Sequence, residues 1–177
     1  PGIDVSLEIS NTEKVVSQIL SRRIDIGVGG RETTDNQLCS FAIDKDEIII
    51  IASPKKATSL RNLDLQEVLS SMIVTREKGS ATRAVAETYA GALNLTFGRK
   101  IELGSNEAVK SAVRNGVGVA MLSKHAVLTE LTSGQLARIE LEEWQCYRDL
   151  FVYYRCDGVY TPAQMKFIES LQKKSVE

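Results

Sequence analysis

Histidine is almost absent from this chain, which has one histidine among 177 residues. A single histidine cannot supply an HExxH motif or a two-histidine metal cluster, and the G-x-S-x-G turn of serine hydrolases is absent. No glycine run spells G-x-G-x-x-G or a Walker A loop. We therefore expect no metal, no cofactor and no catalytic residues, and we do not expect an enzyme. His125 is expected at a hinge or at the surface.

Cysteine is also scarce, with three residues in the chain. Cys39, Cys146 and Cys156 form no close-spaced metal pattern, and their odd number leaves at least one unpaired within the chain. Reduced thiols fit a cytoplasmic setting, in which Cys39 is most simply a small apolar side chain. The sequence thus predicts a cytoplasmic protein with free thiols.

The chain has neither an excess of one charge nor a long apolar run. Its 22 basic and 23 acidic residues give a net charge of -1, so no overall field favours nucleic acid or an anionic membrane. No run approaches the roughly 18 apolar residues that span a bilayer, and no secretory leader opens the chain. The chain begins at Pro1 without a start methionine, so we expect it to be part of a longer protein.

Hydrophobic side chains make up 43% of the sequence, enough to bury a core in one domain or two small lobes. Apolar and polar residues alternate over 3–9, which predicts a half-buried strand, and Asn11-Thr12 can begin a helix that ends at Arg22-Arg23. With a strand at 24–28, this order predicts a βαβ unit and a parallel sheet. Further strands are predicted at 37–43, 47–52, 72–75, 99–103, 117–122, 137–141 and 147–155, and further helices at 65–69, 80–93, 106–115 and from 161 onward.

Breaks in this pattern predict where the chain crosses between two lobes. The first candidate crossover covers 53–63 and the second covers 123–125. Lobe I would then comprise about 1–55 and 124–177, and lobe II about 56–123. The run Ile48-Ile49-Ile50-Ile51 indicates a central strand covered on both faces.

The start of the helix at 80–93 is the most informative polar site. Gly79 allows a close backbone approach, Ser80 or Thr82 can cap, and the first amides of the helix carry the positive end of the dipole. Such a helix start can bind an anion, and Lys78 and Arg83 add positive charge nearby. An ordinary N-cap with solvated neighbours is the alternative.

Two other helix starts have the same character, at Asn11-Thr12 and at Ser105-Asn106. If the strands before them are parallel, all three helix starts lie at carboxyl ends of strands, where open α/β sheets bind ligands. This coincidence favours a binding site over three unrelated caps.

Two phrases resemble the effector-binding domain of LysR-type transcriptional regulators. They are RIDIGVG at 23–29 and LGSNEAVKSAVRNGVGVAMLS at 103–123. The resemblance covers nearly the whole chain. It implies an α/β fold of two Rossmann-like lobes, of type 2 periplasmic-binding-protein architecture, with a small effector in the cleft between the lobes. In the family a strand and helix precede the segment that matches Pro1, and a DNA-binding domain lies further upstream.

The resemblance also implies which residues contact the effector. The family's contacts fall on eight residues of this chain: Asn11, Thr12, Gly79, Ser80, Thr82, Arg83, Glu102 and Ser105. Glu102 would disfavour a simple anion unless Lys78 or Arg83 compensates its charge. A ligand that has both a carboxylate and an amine or hydroxyl would suit this set better.

The implied function is sensing of a small, often anionic, metabolite. Effector binding would change the lobe geometry and thereby reposition DNA-binding domains in a homodimer or homotetramer, with DNA contacted only through the N-terminal domain that this chain lacks. A free-standing solute-binding protein of the same fold is the alternative, and an enzyme on this scaffold is a third option. Fold alone does not decide among them.

Overall fold

A computed structural model describes residues 2–174 of the chain. The chain forms two compact units, which we call unit 1 (residues 2–45 and 149–174 of those described) and unit 2 (Asp46–Arg148). The helices are α1 (Thr12–Leu20), α2 (Pro54–Leu60), α3 (Leu65–Leu69), α4 (Ala81–Ala92), α5 (Asn106–Arg114), α6 (Leu128–Thr132) and α7 (Pro162–Lys174), with a 3-10 turn at His125–Val127. The strands are β1 (Ile26–Gly29), β2 (Leu38–Ala52), β3 (Ile73–Arg76), β4 (Lys100–Leu103), β5 (Ala120–Ser123), β6 (Ala137–Arg138) and β7 (Cys146–Arg155).

The chain passes between the units inside β2 and β7, at 45/46 and 148/149. The sequence placed the crossovers at 53–63 and 123–125, where predicted strands end. The two strands predicted at 37–43 and 47–52 are one strand, β2, and the charged run 44–47 between them lies inside it at the first boundary. The assignment of lobes that move on effector binding stays a prediction.

Unit 1 is built around the packing of α1 on β1. The helix begins at Asn11, whose side chain accepts a hydrogen bond from the Lys14 amide at 3.0 Å. Its inner face buries Val15 and Ile19, and a Cβ at Gly27 of β1 would lie 2.3 Å from Val15 Cγ1. Glycine at position 27 therefore permits the close approach of helix and strand. β1 pairs antiparallel with β7, with Ile26 opposite Tyr154.

The predicted strand at 3–9 is wrong. Residues 2–10 form no regular structure, and Ile3, Val5, Leu7 and Ile9 are 64%, 85%, 86% and 92% exposed. The backbone bonds of a strand come from a neighbouring strand, and no part of 2–174 pairs with this segment. The alternating pattern was present, but the partner that would use it was not. The βαβ unit therefore lacks its first strand.

The expectation of free thiols throughout is also wrong. Cys39 of β2 and Cys156, which follows β7, form a disulfide in unit 1 with their Cα atoms 5.1 Å apart. The two residues are separated by 117 positions in sequence, so no local spacing signals the bond. Cys146 is buried and free, as the odd count of cysteines requires.

Unit 2 has its core around the isoleucine run of β2, as predicted. Ile48, Ile49, Ile50 and Ile51 are at most 1% exposed, and they pair antiparallel with β5. Successive isoleucines point to opposite faces, so the strand is buried against helices and loops on both sides. β6 also pairs antiparallel with the end of β2.

The predicted parallel pairing of strands is confirmed between β3 and β4. β3 and β4 are parallel, with Ile73 opposite Lys100, and Ile73 forms a parallel bridge to Val119. The pairs of β1 with β7 and of β2 with β5 and β6 are antiparallel.

In 2–174 no helix is both long enough and apolar enough to cross a membrane.

Candidate functional site

The start of α4 lies at the end of β3, in unit 2. The chain turns at Gly79, where φ is +87°, and Ser80 occupies the N-cap with extended backbone. A positive φ is a conformation that glycine adopts without a steric penalty, so Gly79 permits the tight entry into the helix. Ser80 and Thr82 are 5% and 6% exposed. The hydroxyls predicted to bind a ligand are therefore present at the helix start but nearly buried.

Ser80 differs from four other polar N-cap residues in one respect. Its side chain makes no capping hydrogen bond, whereas Asn11, Ser53, Asp64 and Ser105 each accept one from the backbone of their own helix. The first intrahelical bond of α4 runs from the Ala84 amide to the Ser80 carbonyl at 3.1 Å. The first amides of α4 thus lack intrahelical acceptors, and the Ser80 hydroxyl does not serve them. This arrangement leaves several donors at the positive end of the helix dipole.

Arg83 does not add a free positive charge to these donors. Its guanidinium bonds the Glu102 carboxylate, Glu87 Oε1 at 3.2 Å and the Arg76 carbonyl at 3.2 Å, and its side chain is 15% exposed. Burial alone would lower the pKa of Arg83, but the bond to Glu102 and the attraction of Glu87 outweigh it and raise the pKa. Arg83 is charged and paired, so it holds α4 against β4.

Glu102 and Ser105 already have partners. Glu102 of β4 is paired with Arg83, so the negative charge that would have opposed an anion is compensated within the unit. Ser105 is exposed and caps α5 by accepting a hydrogen bond from the Ala108 amide at 3.1 Å. Both residues have structural roles here, and their contact with an effector stays a prediction.

Asn11 and Thr12 belong to unit 1, whereas the other six predicted residues belong to unit 2. Thr12 is 8% exposed, and its Oγ1 accepts a hydrogen bond from the Gly30 amide at 3.3 Å. Its hydroxyl therefore supports the turn after β1. That all eight residues contact one ligand stays a prediction.

Sequence reasoning missed a buried polar cluster that touches the start of α4. Arg148 of β7 donates to the Asp46 carboxylate through Nε at 2.9 Å and Nη2 at 2.8 Å, and to Thr82 Oγ1 through Nη1 at 3.0 Å. Ser123 donates to Asp46 Oδ1 at 2.8 Å. No local signal singles out the pair, because Asp46 lies in the charged run 44–47 of β2 and Arg148 is followed by Asp149 in β7. Charged residues are almost never fully buried unless they are paired.

No group in 2–174 brings together three or more His, Cys, Asp or Glu side chains that could hold a metal ion.

The free thiol of Cys146 lies beside the polar cluster of Asp46 and Arg148. Burial raises the pKa of the Cys146 thiol to about 12, with Arg148 lowering it and Asp46 raising it. A thiol of that pKa stays protonated at neutral pH and is a poor nucleophile.

The two units form an α/β domain with hydrogen-bond donors at the start of α4, and comparison with known proteins identifies its family. The model of the LysR substrate binding domain matches residues 1–175. The chain belongs to this family. Its fold is accordingly the type 2 periplasmic-binding-protein-like fold of LysR effector-binding domains.

Relatives and solved structures agree with this assignment. The HTH-type transcriptional regulator CfxR of Cupriavidus necator is 32% identical over 80% of this chain and 45% of its own length. The RuBisCO operon transcriptional regulator of Allochromatium vinosum is 28% identical over 95% of this chain and 56% of its own length. This chain thus spans about half the length of the curated relatives it matches.

Two solved structures show the fold with a bound small molecule. The regulatory domain of Synechocystis PCC6803 CcmR in complex with 2-PG (2-phosphoglycolate) matches with a TM-score of 0.86 and 23% identity, over 99% of this chain and 85% of that one. The effector-binding domain of QuiR in complex with shikimate matches with a TM-score of 0.81 and 12% identity, over 94% and 78%. At these identities the likeness concerns the fold.

Proposed function

We propose that this chain is the effector-sensing domain of a LysR-type transcriptional regulator, and that it binds a small anionic metabolite to control DNA binding and transcription. The observation that carries the proposal is the family match over residues 1–175. It is supported by two neighbours of the same fold whose ligands, 2-phosphoglycolate and shikimate, both carry an acidic group. The relatives' names as helix-turn-helix regulators support the role in transcription.

The effector is proposed to bind at the start of α4. The amides of the first turn and the hydroxyls of Ser80 and Thr82 supply donors, and the helix dipole favours negative charge there. Asn11 and Thr12, with Gly79, Arg83, Glu102 and Ser105, are proposed as further contacts or supports. Because Arg83 neutralises Glu102, an anion at the helix start meets no uncompensated carboxylate from that pair.

Membership of the family supports a proposal for the remaining partners. We infer a cytoplasmic regulator that acts as a homodimer or homotetramer and contacts DNA through a separate N-terminal domain, without catalysing a reaction. The relatives are about twice as long as this chain, which leaves room for such a domain. A free-standing solute-binding protein would bind the same ligand without any response on DNA, so a DNA-binding assay with and without ligand separates the two.

The experiment is a thermal shift screen of the full-length protein, followed by calorimetry. The panel contains 2-phosphoglycolate, shikimate, inorganic phosphate, sulfate, amino acids, small carboxylates and aromatic acids. A ligand that binds the native state selectively raises the melting temperature. A response to acidic compounds alone is expected, and no response to any compound would contradict the proposal.

The matched variants are Ser80→Asp and Ser53→Asp. Aspartate is a good N-cap residue, so neither helix should be lost. At Ser80 the new carboxylate occupies the proposed anion position, and the affinity should fall by about tenfold or more, the size of one lost charged hydrogen bond. Ser53 caps α2 in the same unit, and its replacement should leave the affinity unchanged. Equal affinities of wild type and Ser80→Asp would remove α4 from the site.

A further inference from the structure

The strongest unexplained feature of unit 2 is the ion pair of Asp46 and Arg148. Asp46 is 1% exposed and the Arg148 side chain is 12% exposed. One carboxylate oxygen accepts from two guanidinium nitrogens, and the other accepts from Ser123. Two charges are removed from water only at a large desolvation penalty, so a pair this well bonded is held in one geometry.

The position of the pair in the chain is as notable as its burial. Asp46 is the first residue of unit 2 and Arg148 is the last. The ion pair therefore joins β2 and β7 at the two points where the chain enters and leaves the unit. Arg148 of β7 and Ser123 of β5 both donate to the carboxylate of Asp46 on β2.

The third nitrogen of the guanidinium connects this pair to the proposed effector site. Arg148 Nη1 donates to Thr82 Oγ1 at 3.0 Å, and Thr82 lies in the first turn of α4. A hydroxyl has one proton to donate and two lone pairs to accept with. The Thr82 oxygen already accepts from Arg148, so an adjacent ligand meets chiefly the proton of the Thr82 hydroxyl. Within residues 2–174, no group accepts a hydrogen bond from that hydroxyl.

We propose that Arg148 is a positioning residue that orients the Thr82 hydroxyl as a donor, and thereby selects an oxyanion, a carboxylate or phosphate oxygen, as the ligand group at the start of α4. The inference rests on the proposed function. Arg148 acts through Thr82 and not as a direct cation, because its charge is neutralised by Asp46. A ligand group that must itself donate, such as an amide NH2, is disfavoured at this point since the amides and the hydroxyl are donors as well.

The test is a double-mutant cycle on affinity in the full-length protein, with 2-phosphoglycolate and inorganic phosphate as probes and calorimetry as the readout. Thr82→Val removes the hydroxyl at nearly constant volume. Arg148→Lys keeps the positive charge beside Asp46, but a single ammonium cannot reproduce the planar fork that reaches both Asp46 and Thr82. Each single variant should bind about tenfold more weakly, as expected for one misdirected or lost hydrogen bond to a charged ligand.

Non-additivity is the decisive outcome. If Arg148 acts through Thr82, the double variant binds no more weakly than Thr82→Val, whereas Arg148→Lys still weakens binding when Thr82→Ser retains a hydroxyl. Additive losses would mean that Arg148 contacts the ligand directly or acts elsewhere, and would overturn the inference. An unchanged affinity of Arg148→Lys would overturn it as well.

Two controls separate this outcome from misfolding and from failure of the proposed function. Arg138→Lys makes the same change in an ion pair with Glu47 and Glu140 that does not touch α4, and its affinity should equal that of wild type. If Arg148→Lys does not fold, the neutral pair Asp46→Asn with Arg148→Gln removes both charges together and should weaken binding to the same degree. Failure of wild type to bind either probe, or binding that is insensitive to Arg148, would refute this inference alone. The proposed function fails only if no compound of the thermal shift panel binds.

Discussion

Replacement of Asp46 by alanine should destabilise unit 2 severely. The change removes two hydrogen bonds from Arg148 and one from Ser123, and it leaves a guanidinium that is 12% exposed without its counter-ion. Bonds to a charged group contribute about 1.5–3 kcal/mol each, but the guanidinium regains some hydration. The net cost is about 3–5 kcal/mol, the range for removal of one partner from a buried ion pair. Since Asp46 is 1% exposed, solvent screening does not reduce this figure.

The assay is urea denaturation followed by the fluorescence of Trp144. Trp144 is the one tryptophan of the chain, is 5% exposed, and donates to the Ile48 carbonyl at 2.8 Å, so its emission reports on the core of unit 2. Glu140→Ala is the matched control, because Glu140 is 75% exposed and pairs with Arg138 at the surface. An exposed pair contributes less than about 1 kcal/mol.

The result that would refute this reasoning is a loss of stability for Asp46→Ala as small as that for Glu140→Ala. The double variant Asp46→Ala with Arg148→Met supplies a further check. It removes the unpaired charge together with its partner and should recover most of the lost free energy of unfolding. No recovery would indicate that alanine opens a cavity whose effect exceeds that of the charge.

Two further predictions concern the thiols and the acid stability. Reduction of the unit 1 disulfide should lower the free energy of unfolding by about 5 kcal/mol, because the bond closes a loop of 117 residues. Alkylation of the native reduced protein should spare Cys146, and modification of Cys146 at pH 8 would contradict the burial argument. A hydrogen bond from Lys110 lowers the pKa of the Glu130 carboxyl. The stability that ionised Glu130 contributes is therefore present above the ordinary carboxyl pKa, and it is lost as the pH falls through the lowered pKa of the folded state. Glu130→Gln should flatten the acid limb of the stability curve; Glu107→Gln, at a 77% exposed carboxylate, should change it less, and equal effects would show that burial is not the cause.

From the sequence, the carboxylate of Glu102 is expected to disfavour a simple anion unless a nearby cation compensates its charge, and the structure supplies that cation. A carboxylate on β4 could have excluded an anion from the neighbouring helix start. Arg83 pairs with it, so neither charge is left to dominate the site. In the proposed site, an anion is recognised by backbone amides and hydroxyls, whose direction is set by the fold. The proposed role of Arg148, which lies far from Thr82 in sequence, rests on this dependence.

Most individual elements were predictable from the sequence, since their causes are local. The predicted helix at 65–69 coincides with α3, and those at 80–93 and 106–115 differ from α4 and α5 by about one residue at the ends. Capping side chains and apolar periodicity act within one or two turns of helix, so they are legible in one dimension. The burial of 48–51 was legible for the same reason, because an unbroken apolar run has no solvent face.

What only the tertiary structure decided depends on pairs of residues that are distant in the chain. The alternation at 3–9 specifies a strand only if another strand supplies hydrogen bonds, and none in 2–174 does. The disulfide joins residues 117 apart, and the ion pair of Asp46 with Arg148 joins residues 102 apart. The sequence by itself determined where the helices start and which strand is buried. The folded chain determined that Ser80 makes no capping bond and that Arg148 donates to Thr82, because that bond depends on β7 lying beside the start of α4.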